Sequence, residues 1–360
     1  MTTVLCEERE TRVDAQGTWL SADDVPRATG WIVKLEGLCR DAICIPLATD
    51  LRRDGRIDIA AVWRQQGHPV LSDAEGDVLL LGTGAAQRQR VLAGLMARDF
   101  TLPDVDGTPH TLSALRGKKV LLATWASWCG CRFDLAPWQA LYAELKPAGF
   151  MVVAVAMESR GAEQARPWIE QAKAEYWCLV DRDHRVAELY AMVNVPQSMW
   201  IDEEGRIVRP TETAGSTDHF RRMDLATRTL QPADQAARVA ARQVYYDAIR
   251  DWVRSGKHAL DRERARAKLP RVTPEIALAH AHFRLGTYLR RHGKLAAADR
   301  HLAEASRLHP DSWNMWRQAA DLQEVGRASS PEFWARVKAL GDRPYYAPPE
   351  IPGFPRSLDA

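Results

Sequence analysis

Two uninterrupted apolar runs, "KKVLLATWAS" (118–127) and "GFMVVAVAME" (149–158), limit what this chain can fold into more than any other feature. A strand with one solvated face alternates apolar and polar residues, whereas these runs do not, so both predict strands buried on both faces. Between them, "FDLAPWQALYAELKPAG" has helical apolar spacing and a Pro-Ala-Gly stop, which predicts a βαβ unit. The pattern continues with a helix in "GAEQARPWIEQAKAE", a strand in "YWCLVD", a helix in "HRVAELYAM", and two strands, "SMWID" and "RIVRP", joined by "EEG". An α/β domain over residues 98–212, with a mixed sheet flanked by helices and a terminal hairpin, is the expected centre of the fold.

The flanks read differently. Residues 1–97 predict a small α+β module: "GWIVKLEG" and "VLLLG" as strands, "IDIAAVWRQQG" as a helix closed by Gly67, "SDAEGD" as a turn. Beyond residue 212 strand signals vanish, and 213–345 predicts an all-α region followed by a proline-rich tail at 346–360. Leu285, Gly286, Leu289, Ala298, Leu302, Ala305 and Pro310 fall where a tetratricopeptide repeat of about 34 residues places its small and apolar packing positions. Trp316, Ala319 and Ala320 begin a second copy that degrades; a generic helical bundle is the alternative. A single repeat cannot bury its own face, so this hairpin is expected to pack on neighbouring helices and to offer a protein-binding or self-associating surface.

At 360 residues the chain is too long for one small core, and Lys+Arg 49 against Asp+Glu 47 gives neither a nucleic-acid footprint nor an acidic tail. No segment approaches the ~18 apolar residues of a membrane span, and the N-terminus lacks a basic-then-apolar leader, so a cytoplasmic location is the expectation. Six cysteines are ordinary usage, and in a reducing compartment close pairs point to catalysis or metal.

The closest pair stands in "TWASWCGCRFDLAP", where Cys129 and Cys131 flank Gly130 directly after the first apolar run. "DFTLPDVDGTPHTLSALRGKKVLLATWASWC" together with "YAMVNVPQSMWIDEEGRIV" resembles the redoxin branch of the thioredoxin superfamily, close to the TlpA and ResA group of thiol-disulfide oxidoreductases. The resemblance implies a thioredoxin-like fold over 98–212, with protein or small-molecule thiols and disulfides as partners and neither cofactor nor metal. It implies that Cys129 sits at a helix N-terminus, where unpaired N–H groups and the helix dipole stabilise a thiolate. It implies a cis proline at Pro196 whose loop leaves backbone free to bind an extended substrate, and Trp125 and Trp128 flanking the turn. Asp134 stands where the family often has a carboxylate; a proton-transfer role and an exposed first-turn acid are both open.

The chain departs from that family in spacing. The usual motif is C-x-x-C, because residues three apart share a helix face and residues two apart do not. Either one turn residue is deleted and Cys131 is a displaced resolving thiol, or Cys131 replaces the usual proline and Arg132 takes the resolving position. Gly130 favours the first, since a non-helical glycine can turn both sulfurs to one side. Cys129 is then the nucleophile with a pKa below the free value of about 8.5, and strain in so small a ring would make the pair more oxidising than C-x-x-C. A thiol peroxidase is a second reading, weakened by Ala126 where peroxiredoxins carry threonine. A redox-sensing interaction module without turnover is a third. Cys39 and Cys44 could form a second disulfide or chelate metal, though unpaired or structural cysteines are favoured and no partners complete a zinc set. Cys178 reads as core, and Cys6 as lying near a mobile terminus.

Overall fold

The computed structural model describes residues 1–356, and the chain divides into two compact units: Val91–Pro270 with Asp311–Ala360, and Met1–Arg90 with Arg271–Pro310.

The larger unit is built on a five-stranded sheet in the order Trp177–Asp181, Phe150–Met157, Lys119–Trp125, Gln197–Ile201, Ile207–Thr213. The first three strands run parallel and the last two form an antiparallel hairpin, the mixed thioredoxin-like arrangement expected for this segment. Every residue of Phe150–Met157 is buried, as are Val120 to Trp125, so the two apolar runs are central strands covered on both faces. Residues 91–97 belong to this unit and not to the N-terminal module: Leu95 and Ala97 are core residues, and Ile207 N–H donates to the Leu95 carbonyl at 2.8 Å.

One cover of the sheet is the long helix Pro232–Ser255, whose Tyr245 and Trp252 contact Trp200; the Trp200 and Trp252 rings stack with centroids 4.9 Å apart. The buried Tyr245 hydroxyl accepts from Trp200 Nε1 at 2.9 Å and pairs with Ser198 Oγ at 2.7 Å, which fixes the helix in register. The helices Trp313–Gln323 and Pro331–Lys338 and the proline-rich segment also join this unit. Ile351 and Phe354 are buried in the core of this unit, so the described part of the tail is packed against it.

The smaller unit holds a four-stranded sheet, Arg9–Val13, Thr2–Cys6, Val78–Leu81, Val70–Ser72, with the two central strands parallel. Alternation sends Val4, Cys6, Leu79 and Leu81 to one apolar cluster and Leu5, Val78 and Leu80 to the other, so both faces require cover. Cys6 is therefore a core residue of an ordered strand. The second face is covered by the helical hairpin Pro274–Arg291 and Leu295–Leu308 through Ala281, Leu285, Tyr288, Leu289 and Ala298. This corrects two expectations. The hairpin packs on a sheet rather than on further helices, and the 213–345 region is divided between units, because the exposed apolar sheet face is a better partner than an incomplete repeat. Gly286 is required where the two helices meet, since a Cβ there would lie 2.9 Å from Leu302 Cγ. Cys39 and Cys44 stand directly opposite on the strands Leu38–Arg40 and Ile43–Ile45 and form a disulfide. No helix among the described residues is long and apolar enough to cross a membrane, and none of their His, Cys, Asp and Glu side chains are grouped as a metal site would need.

Candidate active site

The strand Lys119–Trp125 ends directly before the cysteine turn and delivers Cys129 to the start of a helix. Cys129 is extended, with φ −103° and ψ 144°; residues Gly130–Asp134 form a 3₁₀ turn, and the α-helix Leu135–Leu145 continues from it. The Cys131 N–H donates to the Cys129 sulfur at 3.3 Å, so the sulfur acts as the helix cap. Because Cys129 lies outside the helical backbone, the divergence of i and i+2 positions does not apply, and the Cys131 thiol also bonds Cys129. Cys131 therefore faces Cys129. Arg132 points elsewhere: it donates to the Ser127 and Cys129 carbonyls and lies against the Phe133 and Trp168 rings. Gly130 differs from expectation. In this dithiol state it is the first residue of the 3₁₀ turn, its φ is not left-handed, and a Cβ would meet nothing within 4 Å.

The Val195–Pro196 bond is cis, and Pro196 lines the same cavity as Cys129, with Cys129 Sγ 3.6 Å from the Val195 carbonyl oxygen. The expectation of free backbone at this loop is not met. The Val195 carbonyl accepts the Tyr346 hydroxyl at 3.1 Å, and the Val193 carbonyl accepts the Asn314 N–H at 3.0 Å. Asn314 Nδ2 reaches the Met192 carbonyl and Asn194 Nδ2 the Tyr345 carbonyl, so residues 314–346 occupy the loop edge.

Both thiols are buried, and burial by itself pushes a thiol pKa up. At Cys129 this is outweighed by the Cys131 thiol, the Arg317 charge and the Cys131 N–H, which bring the pKa down to about 7. Cys131 goes the other way: burial, then its neighbour Cys129, raise it well above an ordinary thiol. The pair thus consists of one thiol poised to ionise near neutrality and one held protonated.

Arg317 was not legible as a site residue. It lies in the helix Trp313–Gln323, 188 positions after Cys129, and is buried. Its guanidinium stacks over Trp128 and Phe333, with ring centroids at 4.5 and 4.3 Å, and donates to the Trp128 and Ala328 carbonyls, Ser329 and Tyr345. All these partners are neutral, so Cys129 as thiolate is the anion whose charge bears on it beside the tyrosines. Gln318, its neighbour, accepts from Trp128 Nε1 at 3.3 Å and Ser159 N–H at 3.4 Å. The only sequence signal was polar residues in a helix that is buried nearly all round: Asn314, Arg317, Gln318 and Asp321.

Asp134 is buried rather than an exposed first-turn acid, and pairs with Arg242 at 3.0 Å. Burial raises its pKa to about 6 despite Arg242 and Arg238. Glu158, at the end of the second apolar run, accepts the Ser127 N–H and is pushed by burial to about 7. Trp125 is wholly buried core. A cavity of about 160 Å³ opens over the cysteines, bounded by Gly130, Asp134, Pro196, Arg238, Arg242, Arg317 and the rings of Phe220, Phe333, Trp334, Tyr345 and Tyr346.

A profile described as the AhpC/TSA family matches residues 93–209, the segment that carries the sheet, the cysteine turn and the cis proline. Residues 93–209 are an AhpC/TSA-family redoxin domain. This redoxin segment is similar to proteins named thiol-disulfide oxidoreductase ResA. That of Bacillus thuringiensis (strain Al Hakam) is 26% identical over 39% of this chain and 80% of its own length. The one from Halalkalibacterium halodurans is 28% identical over 38% of this chain and 76% of its own length. Among solved structures, a putative thiol:disulfide interchange protein DsbE from Chlorobium tepidum is 29% identical, covers 42% of this chain and 95% of that one, and superposes with a TM-score of 0.31. The helices that supply Arg238, Arg242 and Arg317, and the segment that supplies Tyr346, lie after the matched redoxin segment.

Proposed function

We propose that the protein is a thiol-disulfide oxidoreductase in which Cys129 is the nucleophile and Cys131 the resolving thiol. The observation that carries this is the geometry of the turn, in which the Cys129 sulfur caps the helix start 3.3 Å from the Cys131 N–H; the surroundings of the two thiols then favour ionisation of Cys129 and oppose that of Cys131. Only a thiolate attacks a disulfide, so Cys129 reacts first.

The Cys129 thiolate attacks one sulfur of a disulfide RS–SR′; a Cys129–SR bond forms and R′S⁻ departs. With its charge consumed, Cys129 no longer opposes ionisation of Cys131. The Cys131 proton leaves, and its thiolate attacks Cys129 Sγ, forming the Cys129–Cys131 disulfide and expelling RS⁻. The substrate disulfide has then been reduced by two electrons and the protein dithiol oxidised by two; the reverse sequence oxidises a dithiol substrate. Asp134, whose charge raises both thiols and whose pKa is about 6, is the base we assign to the Cys131 proton. Pro196 shapes the wall opposite the nucleophile, Arg132 and Trp128 hold the turn, and Gly130 leaves the approach to Cys129 open.

A Cys131→Ser variant should accumulate a mixed disulfide through Cys129, seen as a mass adduct, whereas Cys129→Ser should be inert. Exchange activity retained by Cys129→Ser would overturn the assignment. Faster reaction of Cys129 with hydrogen peroxide than with any disulfide would instead support the peroxidase reading.

A further inference from the structure

We propose that this site acts on low-molecular-weight disulfides carrying a carboxylate near sulfur, with the anion received by Arg238 beside Arg242, and not on extended polypeptides. The proposal rests on the oxidoreductase reading above.

Two independent features lead to it. The first is occupancy of the loop edge. An extended polypeptide would need the backbone groups beside the cis proline, but the Val195 and Val193 carbonyls are already bonded by Tyr346 and Asn314 of this same chain. Tyr346 is itself anchored, because the Asp218 carboxylate accepts the N–H groups of Tyr345 and Tyr346 at 2.8 Å each. What remains is a cavity of about 160 Å³. Sites for drug-sized ligands run from about 300 Å³ upward, so this one admits a single small arm of a disulfide.

The second feature is charge. The cavity wall carries three guanidiniums, Arg238, Arg242 and Arg317, against one carboxylate, Asp134. Arg242 is committed to Asp134, and Arg317 is committed to neutral groups around the cysteine turn. Arg238 is only half-buried, bonds Gln235 at 3.3 Å, and makes no ion pair among the described residues. Burial and the like charge of Arg242 both act against its protonated form, the setting in which an incoming carboxylate is most welcome. Once Cys129 has been consumed as a disulfide, the wall retains two uncompensated positive charges, which would hold the anionic arm while Cys131 closes on Cys129.

The test uses the reduced full-length protein and four disulfides: dithiodiglycolate (anionic), 2-hydroxyethyl disulfide (neutral), cystamine (cationic) and a scrambled-disulfide protein. Second-order rates of Cys129 modification are measured by stopped-flow at low and high salt. We expect the anionic compound to react at least about tenfold faster than the neutral one and the cationic at least about tenfold slower, both ratios shrinking with salt. Arg238→Gln should cut the anionic-to-neutral ratio at least about fivefold, and Arg238→Lys should retain most of it. Normalising to the neutral disulfide removes any change in Cys129 ionisation. Equal rates for all charges, an unchanged ratio in Arg238→Gln, or fastest reaction with the protein disulfide would overturn this inference and leave the oxidoreductase reading standing. Failure of Cys129 to react with every disulfide would overturn both.

Discussion

Replacing Arg317 by methionine tests whether a helix far along the chain sets the reactivity of Cys129. The Arg317 guanidinium lies 3.3 Å from the carbonyl of Trp128, the residue before Cys129. A unit charge at an effective dielectric of about 20 is worth roughly 1.4 kcal/mol even at ~12 Å, and this charge is well inside that radius. Its removal should raise the Cys129 pKa from about 7 by at least about one unit, since burial then meets less opposition. At pH 7 the thiolate fraction falls from about one half to about one tenth. A more basic thiolate is a better nucleophile, by about threefold per unit, so alkylation slows only about twofold at pH 7 and becomes about threefold faster above pH 9. The two pH–rate curves should therefore cross. Iodoacetamide alkylation followed by mass spectrometry across pH 5–10 measures this, with near-UV circular dichroism confirming an intact aromatic cap. Arg317→Lys keeps the charge and should keep most of the depression. An unshifted pKa in the methionine variant, or an equal shift in the lysine variant, would refute the electrostatic argument.

Two further outcomes follow from buried polar groups. Burial holds Asp134 near 6 against an ordinary 3.8, so the native state binds more protons than the unfolded chain between those values, and stability falls as pH rises through that window. Relative to wild type, Asp134→Asn should gain up to about 3 kcal/mol between pH 4 and pH 7 in urea denaturation; a gap independent of pH would contradict this. Tyr245→Phe removes the hydroxyl that serves Ser198 and Trp200 and should cost about 2 kcal/mol, because two buried polar atoms lose their partner. A loss under about 0.5 kcal/mol in thermal or urea unfolding would mean that the hydroxyl does not fasten the long helix to the sheet.

Local patterns in the sequence were enough for the central sheet, since continuous apolar runs have no stable place except between two covered faces. The cysteine turn and Pro196 were legible through the resemblance to redoxins, and short-range chemistry suits both: a sulfur at a helix start, a cis bond that only proline readily tolerates. The 3₁₀ geometry that lets Cys129 and Cys131 meet across one residue was not legible, because Cys129 stands outside the helix, where helical spacing does not govern which side chains face each other. Nor was the partition of the helices after residue 212. An amphipathic stripe states that a face will be covered, but Leu285 and Leu289 on the sheet of one unit and Tyr245 and Trp252 on the sheet of the other carry the same signal. The sequence by itself determined where the cysteine turn stands and the scaffold that presents it. Tertiary structure alone decided that Arg317 would stack on Trp128 beside Cys129, that Arg238 and Arg242 would stand over the cavity, and that Tyr346 would take the carbonyl next to Pro196. The reason is distance along the chain: electrostatic and hydrogen-bond partners are chosen by proximity in space, and no periodicity or local propensity records which residues 100 or 200 positions apart will be brought together.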